Sequence, residues 1–563
     1  MSRPPVPIPA PAVARLSLQS LISTSSGGEV LVPAGTYRER LVLDRPVVLT
    51  AADGPGTVRL QVESGPALIL RGDAALRGFL IEVSDPANPA VLVEAGSPRF
   101  DECEFRGARV ETTGNSTPRF RRCEFRRCAL AGLHAVGRSG PRLEECGFHR
   151  VAGHAVVAGD SAKPVLAKGR IIEAEGAGIR LVGEAFAAID GLVVTGSRGP
   201  GLVVGESAGA VVRQCGFLDS AAEGVRVDGS APFAGTGAEA DRRGAYDRPG
   251  RPGGVTIEDC LIARSALEGL VAAAGAIRLM RVKVSQARRT GMLIGGTAEI
   301  ESRECVVLDC AAHGAEVRGA ARLRAVRMSV VNCGASALVL AQDAVSELVD
   351  GEYSETVSTL VQVAGRSTLV ARGSMFAAGR EHGIRALDSA MVELESCTVR
   401  DCEGDAIRVE ARANATLREC RVERVRFGVI LAAKYHHPLL EGCTITETAK
   451  AGIVVGKACR PLLLGCEVRG AGTVGVLHDD QSAAVLDGVR VDGAGEHGMV
   501  VGAAARPRAR RFVVAEANGF GIRFRDGALG EFEDCVLSGG SGPVDLAAGA
   551  APRLVSCGVT DPG

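Results

Sequence analysis

The chain has 563 residues, with 73 Gly, 17 Cys, 4 Tyr and no Trp, and its 65 Lys+Arg against 66 Asp+Glu leave a formal net charge of −1. That balance gives no bulk electrostatic support for nucleic acid or an anionic membrane as partner, and no stretch approaches the ~18 uninterrupted apolar residues of a membrane span. Length alone would suggest several domains, but composition barely changes from end to end, which argues for one repeating architecture.

In chain order, the proline-rich start "MSRPPVPIPAPAVARLSL" has no apolar core behind a basic region and does not read as a secretory signal. The 17 cysteines are then expected as reduced thiols in the cytoplasm. Residues 12–22, "AVARLSLQSLI", place Val13, Leu16, Leu18, Leu21 and Ile22 near helical spacing and predict a helix that caps the first coil. Tail and cap take residues 1–26, and the rest, 27–563, reads as one solenoid.

The solenoid shows itself as a repeat. One register position meets Phe79, Cys103, Cys123, Cys146, Gly169, Leu192 and Cys215 in turn. After one interruption it meets Cys260, Val282, Cys305, Met328, Gly351, Ser374, Cys397, Cys420, Cys443, Cys466, Val489, Phe512, Cys535 and Cys557, most of them 23 residues apart. Two residues later another apolar residue nearly always follows, as at Phe105, Phe148, Ile262 and Val468. Segments such as "CEFRRCALAGLHAV" and "CTVRDCEGDAIRVEA" hold a short alternating strand, a polar turn and a second alternating strand. A third strand of the "PRLEEC" type closes the period. Alternation at period two means strands with one face inward. Equivalent strands stacked roughly 4.8 Å apart satisfy the backbone and bury that face.

The expected fold is all-β: a single-stranded right-handed parallel β-helix of 22–23 residues per coil, with about 21 or more coils and a length of roughly 100 Å. Each inward column prefers one compact apolar side chain, and free Cys is a small hydrophobe. Single Cys per coil lack the paired spacing of zinc sites, so no metal and no cofactor is expected. Within the 23-residue pattern only residues 228–254, "DGSAPFAGTGAEADRRGAYDRPGRPGG", break the stepping, as an inserted loop.

The opening coil carries a resemblance. Gly27, Val32, Pro33, Gly35, Thr36, Tyr37 and Glu39 are similar to the V-x-V-x-P-G-x-Y-x-E start of pectin-lyase-like β-helix proteins, pectin methylesterases among them. The later coils resemble the generic repeats of carbohydrate-binding and sugar-hydrolase β-helices, also found in large intracellular scaffold proteins. The resemblance covers nearly the whole chain and implies the fold. Of the motifs Asn-Thr-Asp, Asp-Asp, Gly-His-Gly and Arg-Ile-Lys of the related polygalacturonases, only Asp-Asp occurs, at Asp479 and Asp480. No catalytic residue of the family can therefore be carried over.

Two polar positions recur in the register. Eight residues after it come His154, Glu223, Glu268, His313, His382, Asp405 and His497, on the turn before the second strand, where polar turn residues are expected. Fourteen residues after it come Lys434, Lys457 and Asp480 on three successive coils, with Tyr435, His436 and His437 beside the first and His478 and Asp479 beside the last. A base with a Lys neighbour that stabilises developing negative charge suits general acid–base chemistry on an acidic sugar. Lys434, His436, His437, Lys457, Asp479 and Asp480 are thus the catalytic candidates.

The final "PRLVSCGVTDPG" stops within a coil, and a longer parent protein is expected. Scarce Tyr and absent Trp weaken sugar binding by ring stacking, whereas long solenoids present extended faces to partners. The expected function is a non-catalytic binding or scaffold domain for a protein partner or an acidic glycan. The alternative is a polysaccharide lyase or hydrolase of pectin-lyase-like form, acting at the Lys434–Asp480 cluster.

Overall fold

The computed structural model describes residues 17–24, 29–230, 254–434 and 436–559. These form an all-β right-handed parallel β-helix of about 22 turns with one short N-terminal helix. Two compact units divide the chain: Met1–Arg180 with Ala185–Ala188, and Leu181–Glu184 with Ile189–Gly563.

The first unit opens with the helix Leu18–Thr24. Leu18 and Ile22 are buried, and the helix packs on strands Glu29–Val32 and Leu41–Leu43. Glu39 caps its start. One carboxylate oxygen accepts the Leu18 N–H at 2.6 Å, and the other accepts the Gln19 N–H at 3.2 Å and the Ser17 hydroxyl at 2.7 Å. An anion at a helix N-terminus also suits the helix dipole. At the other end the Arg45 guanidinium donates to the Ile22 carbonyl. The Glu that ends the family-like opening motif is therefore a helix cap. The expected helix exists, displaced to Leu18–Thr24; Val13, Leu16, Gly27 and the 26/27 boundary lie outside the described residues.

Each coil then supplies one strand to each of three parallel sheets. In the first sheet Arg99–Asp101, Arg119–Arg121 and Arg142–Glu144 are successive rungs, with Phe100, Phe120 and Leu143 in register. In the second, Phe105, Phe125 and Phe148 align in the same way. These inward rings stack: Phe100 on Phe120 at 4.8 Å and 3°, and Phe125 on Phe148 at 4.4 Å and 8°. Ring spacing equals strand spacing, so each ring rides its own coil. The corner from first to second sheet is a single left-handed residue, Glu102, Arg122 and Glu145 at φ of 54°, 50° and 54°. That corner points the next residue, the register Cys, inward.

The second unit repeats this plan. Cys397, Cys420, Cys443 and Cys466 are 1%, 2%, 2% and 1% exposed, and the residues after them pair as Thr398, Arg421, Thr444 and Glu467. The single interior file predicted by the spacing is present. Their thiols also donate to carbonyls of the preceding coil, Cys443 to Leu417 and Cys466 to Leu440, both at 3.5 Å, which Val in the same column cannot do.

A second buried file lies five residues further on, at Cys128 and Val151 in the first unit and at Ser220, Ser265, Cys310, Cys333, Thr356 and Cys402 in the second. Burial pushes the Cys402 thiol up to about 11 and Cys128 to about 12, so these are inert packing groups. The stepping resumes across the insertion, since Ala210 pairs Val255 and Val225 pairs Leu270. Residues 231–253, most of the expected loop at 228–254, lie outside the described residues.

Candidate functional site

Six successive third-sheet strands of the second unit carry the candidate region: Asp405–Val409, Phe427–Leu431, Ile453–Val455, Val474–His478, His497–Val501 and Phe520–Phe524. Alternation turns one residue per strand outward. Those residues form the column Arg408, Ile430, Val454, Leu477, Val500 and Arg523. Four apolar side chains therefore stand on the outside of the sheet between two arginines. Val500 packs with Ala451 and Val474 from the preceding corner, and Phe427, Val454 and Leu477 lie against them. This is a hydrophobic cluster separate from the coil interior.

The predicted candidates sit at the corner that ends these strands. The spacing places Lys434, Lys457 and Asp480 in one column, and here the structure differs. Leu431 pairs with Val455, 24 residues on, whereas Val409 pairs with Leu431, 22 residues on. The coil at 420–442 has one residue fewer at the corner before the strand and one more after it. Lys457 and Asp480 keep their register, but buried Ala433 takes the place expected for Lys434. Lys434 stands one residue beyond, exposed, with Tyr435 outside the described residues.

Several of these groups serve the backbone. Asp480 accepts the Ala503 N–H of the next coil at 3.0 Å, and Asp479 accepts the Asp480 N–H at 3.0 Å. His437 Nδ1 lies 3.1 Å from the Arg460 carbonyl and donates to it. His436 is half-buried and Lys457 exposed. Asp160, Glu206, Gln342 and Asp388 occupy comparable corners and accept N–H groups of the neighbouring coil in the same manner. His478 differs from its expected place beside the corner. It points inward between Val455 and Val501, fully buried, with Nδ1 3.3 Å from the Ser482 hydroxyl. Burial holds its pKa down to about 3.

The polar residues expected at the other corner also bind backbone. His154, His313, His382 and His497 each accept, at Nδ1, the N–H found 23 residues later, from Ala177, Ser336, Asp405 and Phe520, at 2.8–3.2 Å. Burial lowers the pKa of all four. Beside His382, the Arg408 guanidinium donates to Asp405 at 2.9 Å and Glu410 at 2.8 Å, and Arg385 donates to Glu410 at 2.9 Å. That end of the apolar column is closed by satisfied charge.

The middle of the column is bordered by open charge. Arg426 lies over the Phe427 ring at 5.8 Å. Arg426, Lys434, Lys450 and Lys457 are exposed at the two corners that bracket the strands, and none has an ion-pair partner among the described residues. Among the described residues no group of three or more His, Cys, Asp or Glu could hold a metal ion. Sequence reasoning passed over the apolar column because "GVILA", "GIVVG", "GVLHD" and "GMVVG" read as buried strands with both faces covered. The signal was the missing alternation.

Comparison with known proteins agrees with this winding. The model of the right-handed β-helix region matches residues 80–218 and 359–511, more than half of the chain. A mutant of the periplasmic alginate epimerase AlgG is 10% identical, over 61% of this chain and 78% of that one, with a TM-score of 0.35. The A-module of the Azotobacter vinelandii mannuronan C-5 epimerase AlgE4 is 11% identical, over 75% and 94%, with a TM-score of 0.31. A mannuronic acid specific polysaccharide family 6 lyase from human gut microbiota is 11% identical, over 68% and 81%, with a TM-score of 0.28. These likenesses concern the fold alone, and no curated protein matches the sequence. With three stacked parallel sheets, two interior files and a family match over most of its coils, the chain belongs to the right-handed β-helix family.

Proposed function

We propose that this chain is a non-catalytic binding domain that holds a protein partner against the outer face of its third sheet, between Arg408 and Arg523. The observation that carries this reading is the outward column Ile430, Val454, Leu477 and Val500. Contiguous apolar groups on an outer face mark interaction surfaces. Charge selects the partner: Arg426, Lys434, Lys450 and Lys457 border the column, so the fitting surface has an apolar centre ringed by Asp and Glu. A reducing, intracellular setting is part of the proposal, because the stacked thiols of Cys397, Cys420, Cys443 and Cys466 are free.

The rival reading is a lyase or hydrolase of acidic glycans using Lys434, His436, His437, Lys457, Asp479 and Asp480. Asp480 and Asp479 already accept backbone N–H groups, which favours the binding role. One experiment separates the two. A library of acidic peptides with apolar centres is selected on the purified protein, and turnover of uronic-acid polymers is assayed in parallel. Selected peptides should bind at least about tenfold more weakly to Leu477→Asp, and turnover should stay at background. Peptides retained equally by Leu477→Asp, or turnover lost in the double variant Lys457→Ala, Asp480→Ala, would overturn the proposal.

A further inference from the structure

In the first unit, three successive coils read "SPRF", "TPRF" and "GPRL", at 97–100, 117–120 and 140–143. Alternation turns Phe100, Phe120 and Leu143 inward and Arg99, Arg119 and Arg142 outward, and the arginines are direct neighbours across adjacent strands. All three are exposed, and none has an ion pair among the described residues. Like charges placed opposite one another on adjacent strands repel. Elsewhere in this sheet the same kind of column alternates in sign, as at Arg372, Glu395, Arg418 and Glu441, whose pairs close at 3.1 and 3.2 Å. The arginine column is an exception to the sheet's own rule.

We propose that this face binds a linear acidic glycan, laid along the stack so that successive carboxylate or sulfate groups meet Arg99, Arg119 and Arg142. Guanidinium forks bind planar and tetrahedral oxyanions in pairs of hydrogen bonds. The column is straight and rigid. Pro98, Pro118 and Pro141 are buried just before each arginine, fixing the backbone where the strand begins. Behind the arginines the Phe100 and Phe120 rings stack at 4.8 Å, which sets the spacing of the charges and roughly equals one sugar ring of an extended chain per rung. Two residues before the column, on the same face, the hydroxyls of Ser97 and Thr117 meet at 2.6 Å. Gly140 follows them, with no heavy atom nearer than 3.6 Å to the place of a Cβ. Together they form a low polar shelf beside the charges, suited to sugar hydroxyls. On the other side Arg121 lies between Asp101 and Glu144, and Asp101 is 3.8 Å from Arg77.

Spacing and surface choose among polyanions. An extended acidic peptide repeats its outward carboxylates every ~6.8 Å, out of step with the rungs. Single-stranded nucleic acid binds by stacking bases on exposed aromatic rings, and here the rings of Phe100 and Phe120 are buried. The site lies in the first unit and does not depend on the apolar column of the second.

The test is fluorescence polarisation with a labelled linear oligogalacturonate at low and moderate salt, beside a neutral oligosaccharide, a single-stranded DNA and phosphatidylserine vesicles. The uronate is expected to bind the full chain and weaken as salt rises. Arg119→Glu gives this column the alternating pattern of the rest of the sheet, so it should cost about tenfold or more in affinity without lowering the melting temperature. Arg119→Gln, which removes charge without adding any, should fall between the two. No uronate binding at low salt, unchanged affinity in both variants, or DNA or vesicles binding as tightly as the uronate would overturn the proposal. Peptide selection on the Leu477 face would be untouched by that outcome.

Discussion

Arg99, Arg119 and Arg142 in the first unit, and Arg278, Glu301, Arg324 and Glu347 in the second, occupy equivalent outward columns of the first sheet. The second column closes on itself, with Arg278 at 2.9 Å from Glu301 and Arg324 at 3.8 Å from Glu347. The first presents three unpaired guanidinium groups. Backbone register is the same in both, so the coil does not dictate the difference. In a stack with one side chain per rung, what a column does is written in the order of its signs. The apolar column from Ile430 to Val500 extends the lesson to a column without charge.

Substitutions can break this comparison at several strengths. The largest effect is expected behind the arginines: Phe120→Ala removes a fully buried ring from the stack and should cost about 3–5 kcal/mol in urea denaturation. A loss below about 1 kcal/mol would mean that the rings do not set the spacing. Next comes the reciprocal of the arginine test. Glu301→Arg puts a third like charge between Arg278 and Arg324, where signs now alternate, and should lower stability by up to about 1 kcal/mol. Polyanion affinity appearing in that variant would sharpen the comparison; its absence would show that the Pro and Phe framework of the first unit is also required.

Acid separates charge columns from the histidine corners. Guanidinium groups do not titrate in proteins, whereas His154, His313, His382 and His497 bind backbone N–H groups in their neutral form. Their folded pKa values lie below the ordinary 6.5, mainly through burial. The folded state therefore binds fewer protons than the unfolded one, and stability present above pH 6.5 is lost as pH falls through the lowered values. Denaturation midpoints between pH 7 and 5 should fall in the wild type and fall less in His313→Ala. Equal slopes would remove the histidines from the account. The smallest effect is at the left-handed corner: Gln214, at φ 51°, changed to Gly should gain about 0.5–1 kcal/mol in the same assay.

Much of this was legible in the sequence, because stacking repeats a burial environment every coil and the Cys file from Cys397 to Cys466 records it. The file five residues later was less legible, since Cys, Ser, Thr, Ala and Val all fit a corner that needs only small size. The slip between Leu431 and Val455 was hidden because it compensates within one coil: Cys420 and Cys443 stay 23 apart while the strand between them moves by one. Lys434 left its predicted column for that reason. The arginine column was present in "SPRF", "TPRF" and "GPRL", but outward residues carry no burial constraint and their meaning appears only beside their vertical neighbours.

The claim that outward columns determine binding is tested most directly by exchanging signs between the two columns in one molecule. The double variant Arg119→Glu, Glu301→Arg should keep the wild-type melting temperature within a few degrees, lose uronate binding at the first column, and be protected from hydrogen exchange by ligand, if at all, only around residues 278–324. Protection that persists at residues 99–142 in the double variant would contradict the account.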